Sequence, residues 1–147
     1  MARRSALVAL SLLALVATMA MPAHADDAIL RATLTGAAER PGPGDPDASG
    51  SATVFIDDDT DKLCLLLTFA NVDGTLSGLH IHLAPPTDAG PVVVPFAVPT
   101  GSRFFQCVAV ADERLLNNIS VNPQRYYLNL HSSPNFGPGA IRGQLSK

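Results

Sequence analysis

From residue 28 onward the apolar positions of this chain fall on alternate residues or in short runs, and clusters of Pro, Gly, Asn and Asp separate them. Leu30, Ala32 and Leu34 alternate with Arg31, Thr33 and Thr35, and Ala52, Val54 and Ile56 alternate with Ser51, Thr53 and Phe55. In an extended chain successive side chains point to opposite faces, so this period of two predicts half-buried strands. Further strands are expected at Leu63–Phe69, Gly78–Leu83, Val92–Phe96, Arg103–Ala111, Arg125–His131 and Ala140–Leu145, with Leu63–Phe69 as a largely buried central strand. The Pro- and Gly-rich stretch 36–50 reads as a long loop. Asp112 is placed to cap a short helix through Asn118, with Leu115 and Leu116 facing inward. About eight short strands with one short helix predict an all-β fold, an antiparallel Greek-key β-sandwich.

The first 25 residues follow another pattern. Arg3 and Arg4 precede an apolar run from Ala6 to Met21, short for a membrane span, and Ala23-His24-Ala25 supplies an A-x-A cleavage site. Residues 1–25 are therefore expected to be a secretory signal peptide and residues 26–147 a single exported domain. No cysteine follows the apolar run, so no membrane anchor is expected after cleavage, and the destination is periplasmic or extracellular. The remaining 122 of 147 residues suffice for one core. They carry eight basic and thirteen acidic side chains, a formal charge of −5, with no basic cluster and no Trp. That balance argues against nucleic acid and anionic membrane as partners. Cys64 and Cys107 are an even pair in a chain bound for an oxidising compartment, and they are expected to form a disulfide. Closing their 43-residue separation gives about 3 to 4 kcal/mol in the chain-entropy model.

The candidate chemistry lies in Gly78-Leu79-His80-Ile81-His82-Leu83. If Leu79, Ile81 and Leu83 face the core, His80 and His82 share the other face, with Cβ atoms roughly 7 Å apart, close enough for two imidazoles to meet on one metal ion. A third histidine ends Tyr126-Tyr127-Leu128-Asn129-Leu130-His131; with Tyr126, Leu128 and Leu130 inward, His131 is outward together with Tyr127 and Asn129. His80, His82 and His131 are thus the candidate metal ligands if their strands are neighbours, and imidazoles suit copper or zinc. The same residues also fit an ordinary polar strand face. Arg142 alternates with Ile141 and Gly143, and a guanidinium in a partly buried strand calls for a planar acceptor, for which Glu39 is the candidate. The acidic run Asp57–Asp61 lacks the ligand spacing of a calcium loop and reads as a solvated turn. No G-x-S-x-G turn or other nucleophile–base arrangement is present, so no catalytic residue is assigned.

Leu34-Thr35-Gly36 with Glu39, Gly50 with Ala52 and Val54, Leu63-Cys64, His80-Ile81-His82, Gly90-Pro91-Val92-Val93, Tyr126–His131 and the closing Gly139-Ala140-Ile141-Arg142-Gly143-Gln144-Leu145 together resemble the chordin-type domain, CHRD, over about residues 28–146. The resemblance implies an extracytoplasmic β-sandwich; in animal chordin such domains belong to a secreted antagonist of growth-factor signalling, whereas bacterial single-domain members look like exported proteins of undefined role. A weaker similarity, confined to GLHIHL and His131, is to the copper/zinc superoxide dismutase sandwich. Three histidines after the signal are too few for a two-metal dismutase, so that similarity leaves only a single-copper site open.

The sequence therefore reads as an exported CHRD-like binding protein without enzymatic activity, whose ligand is copper or zinc or an unidentified protein. The alternatives are a structural or protein-interaction module without metal and, third, a single-copper redox protein.

Overall fold

The computed structural model describes residues 27–147; the signal-peptide reading of residues 1–25 lies outside the described residues. Eight strands form where the alternation predicts them: β1 (Ala28–Thr35), β2 (Ser49–Asp57), β3 (Lys62–Ala70), β4 (Thr75–Leu83), β5 (Val92–Phe96), β6 (Arg103–Ala109), β7 (Tyr126–Ser133) and β8 (Phe136–Gln144). They are hydrogen-bonded in the order β5-β4-β7-β8-β1-β2-β3-β6, with every pairing antiparallel. The join between β8 and β1 is thin. One paired position, Thr35 with Arg142, and an isolated bridge between Arg31 and Ser146 carry it. The chain therefore folds as two four-stranded halves, β5-β4-β7-β8 and β1-β2-β3-β6, the expected sandwich. On its other side β5 and β6 are unpaired, and the Gln106 side chain accepts the Ala97 N–H at 2.8 Å.

Inward residues from both halves make the core: Leu30 and Leu34, Val54 and Ile56, Leu79 and Ile81, Leu128 and Leu130, and Ile141 are all buried. β3 contributes only alternate residues. Leu63, Leu65 and Leu67 are fully buried, but Leu66 is exposed and Cys64 half-buried, so the continuous apolar run does not mark a strand covered on both faces. Its outer face is open because none of the described residues forms a layer over this half. The outward Cys64 is directly opposite Cys107 on β6, and the two form the disulfide.

The helix α1 (Glu113–Val121) starts at Asp112, whose Oδ1 accepts the N–H groups of Arg114 and Leu115 at 3.0 and 3.3 Å. It runs one turn beyond its expected end. Leu116 and Ile119, three apart, form its buried stripe, while Leu115 is only half-buried.

Candidate functional site

β4 and β7 are neighbours, with Gly78 opposite His131, His80 opposite Asn129 and His82 opposite Tyr127. The register places His80, His82 and His131 on one face of the β5-β4-β7-β8 half. One ligand nitrogen from each imidazole lies within 4.8 Å of the others. His80 Nδ1 is 3.3 Å from His131 Nε2. Gly78 makes this packing feasible: a Cβ there would sit 2.8 Å from His80 Cε1 and 3.3 Å from His131 Cδ2.

Backbone carbonyls fix the tautomers. His82 Nδ1 is 2.8 Å from the Gly90 carbonyl and His131 Nδ1 is 2.9 Å from the Gly137 carbonyl. A carbonyl only accepts, so each Nδ1 carries the proton and, in the neutral ring, Nε2 keeps a bare lone pair. His82 Nε2 is buried and has no hydrogen-bond partner. Burial, and next the charge His131 would carry, hold His80 below the usual histidine range; burial likewise lowers His82 against the opposing effect of the Gly90 bond. Both rings are therefore neutral at pH 7, the form that binds metal. Two Nε2 atoms of carbonyl-oriented rings, with His80 Nδ1 beside them, are a donor set for zinc or copper.

The outward face that carries the histidines is partly covered, with His80 and His131 half-buried. His82 is 8% exposed, and Asn129, Arg142, Tyr127 and Glu39 are each 3% or less. Loops 84–91 and 36–48 and the β7–β8 hairpin cover it, and Arg142 secures the first of these. Its guanidinium donates to the carbonyls of Pro85 and Asp88, both at 2.8 Å, and lies 3.4 Å over the Tyr127 ring. Tyr127 in turn stacks on His82, with centroids 4.8 Å apart and planes 9° from parallel, and its hydroxyl accepts the Gly90 N–H at 3.2 Å. Gln144 ties the same loop through the Ala84 carbonyl at 2.8 Å. Arg142 thus holds the loop whose Gly90 carbonyl aims His82.

The expected Glu39–Arg142 pair takes a different form. No hydrogen bond joins the two, because loop carbonyls occupy the guanidinium fork. Glu39 instead accepts two bonds from Asn129 Nδ2, at 2.7 and 2.9 Å, over the bare backbone of Gly139, where a Cβ would clash with the carboxylate. Arg142 still acts on it through space. Burial raises the Glu39 carboxyl to about 7, against the opposing effects of Arg142 and Asn129.

Sequence reasoning named the three histidines, Tyr127 and Asn129, and the fold brings these side chains together. It missed the Gly90 and Gly137 carbonyls, which carry no side-chain signal, and the role of Gly78, which the motif does reveal: Gly78 is two residues before His80 and so on the same strand face. Pro134 and Asn135 make the tight β7–β8 turn, and Gly137, the second residue of β8, supplies the carbonyl that meets His131.

No curated protein and no solved structure matches the chain. The family model described as CHRD domain matches residues 30–145, from the first core residue of β1 to Leu145 just beyond β8, and the chain belongs to the CHRD domain family.

Proposed function

We propose that this CHRD domain is an exported, non-enzymatic binding module that holds one copper or zinc ion on His82 Nε2, His131 Nε2 and His80 Nδ1. The observation that carries the reading is His82 Nε2, a buried lone pair with no partner on a ring whose other nitrogen is committed to Gly90. Leaving a buried polar atom unsatisfied costs about 1 to 3 kcal/mol, which a bound cation would recover. The 3.3 Å between His80 Nδ1 and His131 Nε2 also suits the purpose: two nitrogens about 2.05 Å from a tetrahedral ion are roughly 3.3 Å apart. The disulfide supports export, since such bonds persist in oxidising compartments.

Titration calorimetry with Zn²⁺ and Cu²⁺ on residues 26–147, beside the His80→Ala/His82→Ala/His131→Ala variant, tests this. One equivalent bound by the native chain and none by the variant is expected; equal uptake by both ends the reading.

A second reading, an interaction module without metal, draws on the outer face of the β1-β2-β3-β6 half. Ile29, Phe55, Leu66 and Phe105 are exposed there, Phe105 by 63%. Aromatic residues exposed together favour protein contact. In that case the histidine variant would keep full partner binding and Phe105→Ser would lose it.

A further inference from the structure

A second group of charged side chains gathers where the β1–β2 and β3–β4 connections meet. Ser49 at the start of β2 pairs with Ala70 at the end of β3, so residues 45–48 and 71–74 run on side by side from that pair. Asp45 is fixed from behind, its N–H donating to the Ala140 carbonyl at 2.9 Å. Asn71, with φ of 59°, turns to donate from Nδ2 to the Asp47 carbonyl at 3.3 Å. Carboxylate oxygens of Asp45, Asp47 and Asp73 consequently lie within 4.8 Å of one another.

Acidic residues gathered at a surface need no ligand to explain them, and Asp47 and Asp73 are indeed exposed. Asp45 is different. It is 0% exposed, and its carboxylate turns toward the Asp73 loop, where Oδ2 accepts the Asp73 N–H at 2.7 Å. Its Oδ1 is buried with no hydrogen-bond partner. A fully buried carboxylate needs pairing or coordination, and here one backbone N–H meets one of its oxygens while two further carboxylates add like charge.

We infer that Asp45 Oδ1, with the carboxylates of Asp47 and Asp73, forms a calcium site separate from the histidine donors. The donors are all hard oxygens, which suit Ca²⁺ and not the nitrogen-preferring metals. Ca²⁺ accepts six to eight oxygens in a flexible shell, whereas Mg²⁺ demands a near-ideal octahedron and gives up its waters reluctantly. Three protein carboxylates leave the rest of the shell to water. That places the affinity at the weak end, roughly 10⁻⁴ to 10⁻³ M, as in extracellular modules.

Chelator-stripped residues 26–147 titrated with CaCl₂, followed by calorimetry and by thermal unfolding, test the site. The expected results are saturable binding in that range with a rise in melting temperature, a weaker response to MgCl₂, and at least a tenfold loss of Ca²⁺ affinity in Asp47→Asn/Asp73→Asn. Both substituted residues are exposed, so this variant keeps the fold; Asp45→Asn is the stricter companion. The His80→Ala/His82→Ala/His131→Ala variant should respond to Ca²⁺ as the native chain does, which separates this site from the histidine one. No Ca²⁺ response at concentrations tenfold above that range, or an undiminished response in Asp47→Asn/Asp73→Asn, overturns the inference.

Discussion

His80 Nδ1 faces His131 Nε2 at 3.3 Å across the β4–β7 ladder, two histidines 51 residues apart in the chain and meeting through strand pairing alone. Because His131 Nδ1 is held by the Gly137 carbonyl, its Nε2 lone pair points at His80, and without metal the two rings share one N–H···N bond. Removing either ring removes a ligand. Each of His80→Ala, His82→Ala and His131→Ala is therefore expected to lower Zn²⁺ affinity by at least on the order of 100-fold, beyond the 10–100-fold typical of a lost supporting hydrogen bond. Calorimetry on the three single variants checks this, and a variant with native affinity would show that its ring is not a ligand.

Gly78→Ala probes the space rather than the ligands. The added Cβ meets His80 Cε1 at 2.8 Å, and the ring has to turn away from His131. Metal affinity is expected to fall roughly 10-fold or more while the protein stays folded, since the displaced group is the end of a side chain and the cost is about 1 kcal/mol, at the lower end of that for an overpacked site. Circular dichroism and Zn²⁺ titration on the same preparation separate the two effects.

Arg142→Lys is expected to behave as a disruptive change. A lysine cannot reproduce the planar fork that serves the Pro85 and Asp88 carbonyls together, nor stack on Tyr127 in the same way. The lost charged hydrogen bonds imply a destabilisation of about 2 to 4 kcal/mol. If the arginine also positions the loop, Zn²⁺ affinity falls with it because Gly90 no longer aims His82. Denaturant unfolding gives the first quantity and calorimetry the second; unchanged values for both would leave Arg142 without the positioning role.

Period-two alternation together with short apolar runs made all eight strands and the fold class legible, and strand parity put His80, His82 and His131 on one side. It was legible because Leu79, Ile81, Leu128 and Leu130 have one way to be buried, and each residue between them then points the other way. Parity does not say what lies on the other side. The covering loops 36–48 and 84–91 are rich in Pro and Gly and have no periodicity, so nothing in their pattern shows that they bury Glu39, Asn129 and Arg142. The two closest partners of Arg142 are backbone carbonyl oxygens, which every residue carries, and a charge-matching argument therefore selected Glu39. For β3, a run of consecutive leucines hid the alternation that the fold imposes on it.

The disulfide sits on the open face of β3 and β6, far in sequence from the covered loops. Cys64→Ala/Cys107→Ala removes a 43-residue closure and is expected to cost about 3 to 4 kcal/mol. The histidine cluster lies on the other half, so its Zn²⁺ affinity should not change in the folded variant. Urea unfolding with and without reductant measures the first; a coupled loss of metal binding would show that the two halves are linked more tightly than the thin β1–β8 join allows.

Glu39 gives a pH dependence with a definite sign. Its carboxyl titrates at about 7 in the folded chain against 4.5 for an ordinary glutamate, chiefly because burial disfavours the charged form. Below about pH 4.5 it is protonated folded and unfolded alike and costs nothing. As pH rises from there the unfolded chain ionises first, so stability falls until the folded carboxyl ionises too, near pH 7, and then levels off; 2.5 units correspond to about 3 kcal/mol. His80 and His82, held low, act oppositely: their contribution is complete above pH 6.5 and is lost as pH falls below it. The native profile therefore mixes two slopes, and the difference between Glu39→Gln and the native chain isolates one of them. The glutamine keeps the side-chain shape and one oxygen that accepts from Asn129 Nδ2. Urea unfolding at pH 4.5, 6 and 8 is expected to find the variant gaining on the native chain by about 3 kcal/mol across that span; a difference independent of pH would show that Glu39 folds with an ordinary carboxyl.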